Sequence, residues 1–243
     1  YYRELLTTDR DAYGIYVQSP FPKENRRILI GSDVSSRYTR RNRAEYRKIA
    51  GYIARCVWQR PGNYMVFFPS YRLMEDVLQV YEEEFSVDWV RCVCQTPDMT
   101  EQEREGFLEE FQERKGTLVG FCVLGGIFSE GVDLTGESLI GAVIVGTGLP
   151  QIGSQREILK EYYDKKNHCG FDYAYRYPGM NKVLQAAGRV IRTKEDKGVI
   201  LLLDDRFWDR DYQEIFPREW QDRTGCRLDT VEGAVETFWK RFT

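Results

Sequence analysis

Tyr64-Met65-Val66-Phe67-Phe68 is apolar at every position, and a strand tolerates that only when both of its faces are covered. Thr117 to Leu124, Leu139 to Val145 and Gly198 to Leu203 repeat the pattern, the last of them ending on Asp204-Asp205. Arg27 to Ile30 and Trp89 to Cys94 are shorter runs of the same kind. Amphipathic helical stretches separate these runs, so the expected fold is α/β, with a mostly parallel sheet covered on both faces and Gly198–Leu203 as its last strand. In such sheets ligands sit beyond the carboxyl ends of the strands.

The first long helix carries Tyr46, Ile49, Ala50, Ile53 and Val57 on one stripe and stops at Pro61-Gly62. Arg40, Arg41, Arg43 and Arg47 crowd its first half, either as a solvated face or as contacts to a nucleic-acid backbone. Ser70 is placed to cap a second helix with Leu73, Val77 and Val80 inward, and Thr100 with Glu103 forms a capping box ahead of Phe107, Leu108 and Phe111. Asn167 to Met180, with Tyr173, Tyr175 and Tyr177, reads as a loop. A helix near Trp208 to Phe216 and a closing one with Val231, Ala234, Val235, Phe238 and Trp239 on one stripe read as packing elements.

The charge of −3 over 243 residues gives no sign of a globally basic nucleic-acid binder, although a local basic face remains open. Six scattered cysteines without a Cys-x-x-Cys pair, and a single histidine, His168, lack the spacing of zinc or iron–sulfur sites. A reduced, cytoplasmic protein is the simplest expectation, and no run is long and apolar enough to span a bilayer. The chain opens on Tyr1-Tyr2-Arg3-Glu4, and is expected to be a fragment of a longer protein.

Three stretches carry chemistry. Gln185-Ala186-Ala187-Gly188-Arg189-Val190-Ile191-Arg192 puts Gln185, Arg189 and Arg192 at i, i+4 and i+7, so at helical spacing all three heads leave one face of the helix. That face is either solvated or an anion site, because a pair of guanidinium groups can hold a γ-phosphate. Gly125-Gly126-Ile127-Phe128-Ser129-Glu130-Gly131-Val132-Asp133 follows a strand. Its glycines let backbone amides approach a ligand, while Ser129, Glu130 and Asp133 suit ribose contact, support of an arginine or positioning of a water. Phe68-Pro69-Ser70-Tyr71 offers a hydroxyl, helix-terminal amides and a ring, either to a nucleic acid or as a capped helix with Tyr71 packed on the sheet. The two guanidinium groups are expected on a single helical turn, at the sheet edge where the glycine turn sits. No Gly-x-x-x-x-Gly-Lys-Ser/Thr loop occurs, so Asp204-Asp205 is a poor magnesium site and the chain alone is expected to be inactive.

The order of these motifs, closed by Asp204-Asp205-Arg206-Phe207, resembles the second RecA-like domain of superfamily 2 helicases of the DinG/XPD type, from about Phe21 to Phe216. The resemblance implies a three-layer sandwich of P-loop-NTPase type without its own phosphate loop. Residues 1–243 would be one helicase C-terminal domain, with its core over about 21–216 and packing helices over 217–243. It implies an ATP-driven DNA helicase, in DNA repair among other roles, whose absent N-terminal motor domain holds ATP and Mg2+ and often an iron–sulfur cluster. On the matching positions, Arg189 and Arg192 would contact the γ-phosphate, with Arg192 as the finger. Gln185 and Gly188 belong to the same motif, and Glu130, Gly131 and Asp133 to the one coupling nucleotide state to the strand. Ser70, Tyr71 and Ser129 would face single-stranded DNA. Gly146-Thr147-Gly148-Leu149-Pro150-Gln151 departs from the more proline-rich turn of many relatives. Two rivals stand beside this reading: a nucleic-acid- or protein-binding module with vestigial motor motifs, and a small-molecule enzyme on the same kind of sheet.

Overall fold

The computed structural model describes residues 5–9, 11, 13–112, 115–128 and 138–242. The apolar runs form β1 (Arg26–Gly31), β2 (Asn63–Phe68), β3 (Val90–Cys94), β4 (Thr117–Val123), β5 (Gly141–Val145) and β6 (Gly198–Leu203), and a short β7 (Thr224–Cys226) follows. They make one sheet in the order β3-β4-β2-β5-β6-β1-β7, and every pairing among the described residues is parallel. The main helices are α1 (Arg43–Val57), α2 (Tyr71–Glu84), α3 (Glu101–Gln112), α4 (Ser154–Asn167), α5 (Tyr177–Ala187), the single turn α6 (Arg210–Gln213) and α7 (Val231–Trp239).

The all-apolar strands are explained by two cores, one on each face. Tyr64, Val66 and Phe68 of β2 enter the core shared with α1, α2 and α7. Met65 and Phe67 enter the opposite core with Phe107, Phe111, Met180 and Val183. Residues Val199, Leu201 and Leu203 of β6 likewise alternate with Ile200 and Leu202. Period-two alternation between two apolar faces leaves no polar position to read. Both expected caps form. Ser70 Oγ accepts the Leu73 amide at 3.4 Å, Glu103 Oε2 accepts the Thr100 amide at 2.8 Å, and Thr100 Oγ1 accepts the Glu103 amide at 3.3 Å.

Three expectations fail. Asn167 to Met180 does not loop out: after His168 in a left-handed conformation, the chain enters a π turn (Asp172–Arg176) that runs into α5. Tyr173 stacks on Tyr163 with centroids 3.9 Å apart, and Tyr175 donates to Glu157 at 2.5 Å, so the tyrosines dock this turn on α4. A π register breaks the 3.6-residue spacing on which a helix would be recognised. Trp208 to Phe216 is a 3-10 turn (Asp205–Trp208) followed by α6, not one helix. Gly198–Leu203 is not the last strand either, because β7 adds to the far side of β1 within the stretch expected to hold only packing helices. Three residues with a central glycine carry too little pattern to show in a sequence.

Candidate functional site

Because the strands are parallel, the sheet has one carboxyl edge and one amino edge, and the chemistry-bearing residues divide between them. At the carboxyl edge, Pro69-Ser70-Tyr71 leaves β2 into α2. The Ser70 hydroxyl is engaged as an acceptor at the cap, which leaves its proton to donate. Tyr71 is half-buried, and its hydroxyl accepts from Gln95 Nε2 at 2.8 Å. Burial, above all, pushes the Tyr71 phenol up from its ordinary range.

Gln95 gave no signal in the sequence. It is 3% exposed, directly after β3, and its Oε1 accepts the Val123 amide at 3.0 Å while its Nε2 serves Tyr71. A side chain on Gly126 would lie 2.9 Å from that same amide. One buried amide therefore ties Tyr71 to the glycine segment where it leaves β4. Gln95→Leu strips both bonds from buried partners at a cost of about 1–3 kcal/mol. In the intact protein it is expected to blunt the response of ATP turnover to DNA more than the turnover without DNA.

Gly125 sits at a φ of 72° against Lys182 of α5, where L residues are strained. Ser129, Glu130, Gly131 and Asp133 lie outside the described residues. The chain leaves at the carboxyl end of β4 and re-enters before β5. There Asn63 Nδ2 donates to Ser138 O at 3.1 Å and the Ile140 amide donates to Asn63 O at 2.9 Å. Asn63 starts β2, so Ser138 and Ile140 stand at the amino edge.

The arginine motif lies at the amino edge, and this overturns the expectation that it shares an edge with the glycine turn. Helix α5 runs against the strands. Its start, at Gly179, packs on Gly148 after β5, and the chain past its end brings Val190 onto Gly198 and Ile140 at the opposite edge. The helix also ends at Ala187, with Gly188 as its C-cap, so Arg189 and Arg192 do not extend the face of Gln185. Glycine at that place was the available stop signal. Gln185 is exposed on the last turn of α5. Arg189 is 9% exposed, Arg192 is half-buried, and both are engaged by neighbouring groups. Asp196, buried at 5% exposure, accepts the amides of Arg192 and Thr193, each at 2.7 Å, and so fixes the backbone that carries Arg192. Beside this turn a cleft of about 560 Å³ is lined by Arg60, Asn63, Thr193, Asp196, Lys197 and Trp239. Its guanidinium, ammonium and hydroxyl donors can meet phosphate oxygens, although Glu195 and Asp196 also line it and set carboxylates beside them.

Asp204-Asp205 is structural. Asp204 is fully buried and accepts from Arg206 Nε at 2.7 Å and from the Ser36 amide at 2.9 Å and hydroxyl at 2.5 Å. Burial pushes its carboxyl up, but the Arg206 and Ser36 hydrogen bonds with the Arg206 charge prevail and hold it below the usual range. Among the described residues no cluster of His, Cys, Asp and Glu could hold a metal, and no helix is long and apolar enough to cross a membrane.

Residues 53–223 match the helicase C-terminal domain family. A probable ATP-dependent helicase of Methanocaldococcus jannaschii is 29% identical over 206 residues, covering 80% of this chain and 31% of that protein. The ATP-dependent DNA helicase XPD of Sulfolobus acidocaldarius is 30% identical over 189 residues, covering 73% and 31%. An XPD helicase structure superposes with a TM-score of 0.66 at 23% identity over 83% of this chain and 35% of that one. Apo XPD gives 0.65 at 23% over 83% and 40%. These likenesses establish the α/β, RecA-like architecture. The chain spans under a third of the length of these two curated relatives.

Proposed function

The chain belongs to the helicase C-terminal domain family, and on that premise we propose that it is the second motor domain of an ATP-dependent DNA helicase. In this reading the amino edge closes on ATP and Mg2+ held by an N-terminal motor domain, and the carboxyl edge holds single-stranded DNA. Arg192 is the finger that meets the γ-phosphate, and Arg189 is its buried companion. Gln185 and Gly188 stand where the helix hands over to that turn. Ser70 and Tyr71 hold the strand, and Ser129, Glu130, Gly131 and Asp133 couple the nucleotide state to it. Residues 1–243 act as one unit, inactive alone because this chain has no phosphate loop.

The observation that carries this is that the chain stands beside Gln95 and Tyr71 at the carboxyl edge at Val123 and beside Asn63 at the amino edge at Ser138 and Ile140. A motor needs such a link, since nucleotide binding can move DNA only through an element that differs between the two states. Bound ATP supplies the energy of the cycle, and the residues here supply cation, positioning and strand contact. Replacing Ser70 and Tyr71 together by Ala in the intact protein is expected to leave ATP turnover without DNA within about twofold and to remove most of its stimulation by single-stranded DNA. Full stimulation in that variant refutes the strand assignment. Tight DNA binding with strand separation indifferent to Arg189→Ala would instead favour a binding module with vestigial motor motifs.

A further inference from the structure

Of the arginines crowding the start of α1, most are spoken for. Arg37 pairs with Asp205 and Asp209 at 3.5 and 3.8 Å, and Arg40 with Asp205 and Glu45 at 3.1 and 3.5 Å. Arg43 and Arg47 reach across to Glu83 and Glu84 of α2, so that stretch of the cationic stripe is a helix-to-helix seam. Arg41 is different. Its Nε donates to Ser36 O at 3.3 Å, its guanidinium lies 5.5 Å from the centroid of the Tyr38 ring, and it has no carboxylate partner among the described residues. Arg72, exposed on the first turn of α2, has none either. Both cations act on Tyr46, whose phenol is raised by burial first and then by Asp76. Arg41 stands just before α1, and Arg72 follows Tyr71 in the first turn of α2.

Tyr38 itself is 77% exposed, a large ring that buries little in this fold. The guanidinium over one face leaves the other to solvent. The turn lies beside the strand-binding edge: a side chain on Gly146 would meet Ser36 Oγ at 2.5 Å and Pro69 Cγ at 3.6 Å, so Ser36 and Pro69 flank one point. Cations without carboxylate partners beside an open aromatic face match the alternation of phosphate and base along a single strand, whereas a protein partner would look for a contiguous apolar patch.

We propose that Tyr38, Arg41 and Arg72 extend the nucleic-acid track beyond Ser70 and Tyr71: Tyr38 stacks a base, Arg41 holds a phosphate beside that ring, and Arg72 holds a phosphate beside Tyr71. This rests on the reading of the carboxyl edge as the strand site and adds residues outside the stretches that carry the resemblance. Arg41 steadies the ring by its cation–π contact, so stacking and charge are delivered by one preformed unit.

The test is fluorescence anisotropy of the chain with labelled fifteen-residue oligothymidylate across a salt series. Tyr38→Ala is expected to weaken binding on the order of tenfold, and Tyr38→Phe to restore it, since stacking needs the ring and not the hydroxyl. Arg41→Gln and Arg72→Gln are each expected to reduce the slope of log affinity against log salt by about 0.7, one phosphate contact apiece. Wild-type affinity in Tyr38→Ala with unchanged slopes in both arginine variants overturns the inference and leaves Ser70 and Tyr71 as the strand site. Failure of the wild-type chain to bind overturns both. All four substitutions lie on the surface or at its margin, and a thermal melt of each variant separates lost binding from lost fold.

Discussion

Arg192→Ala in the intact protein is expected to lower ATP turnover about a thousandfold or more, the range in which arginine fingers act in phosphoryl transfer. The physical reason is where and how Arg192 is held. Its backbone is pinned by Asp196 through two amides at 2.7 Å, so the substitution removes the head group without releasing the turn. The charge serves only as negative charge builds on the phosphate, so nucleotide affinity should fall much less than turnover. Arg192→Lys should rescue little, because an ammonium cannot reproduce the planar fork. Steady-state turnover beside a nucleotide-binding titration checks this, with circular dichroism confirming the fold. Turnover at the wild-type rate would remove Arg192 from the finger role.

Asp204→Ala is expected to have the largest effect on stability. It leaves the Arg206 guanidinium, with a side chain 17% exposed, facing Ser36 without its carboxylate. Breaking one partner of such a buried pair costs about 3–5 kcal/mol. For a chain of this size that corresponds to a melting temperature lower by roughly 10 °C. The pH dependence has a definite sign. The folded-state pKa of Asp204 is depressed, so its contribution is fully present above the ordinary aspartate value of 3.8 and is lost as the pH falls through the lower folded value. Urea unfolding of the wild type should therefore show an acid limb extending below pH 3.8 that Asp204→Asn diminishes. An unchanged acid limb would mean that the pair contributes nothing to folding.

The strands were readable because the chain writes them twice, as Tyr64, Val66 and Phe68 toward one core and Met65 and Phe67 toward the other. Caps at Ser70 and Thr100 were readable because capping is local chemistry between residues three apart. What stayed hidden depends on contacts distant in sequence. Gln95 meets Val123 across 28 positions and looks like any polar residue at a strand end. The edge to which Arg189 and Arg192 belong follows from α5 running against the sheet, which motif order does not state. Gly188 did mark the end of that helix, and spacing alone misled because an i, i+4, i+7 pattern means one face only while the helix lasts.

The central claim is that nucleotide and nucleic acid occupy opposite edges of one sheet. Hydrogen exchange of the intact protein with a non-hydrolysable ATP analogue, and separately with oligothymidylate, tests it directly. The expected result is slowed exchange at 188–197 with the analogue and at 36–41, 70–73 and 95–96 with the oligonucleotide. Protection of the strand carboxyl ends by the analogue, with none at 188–197, would contradict it.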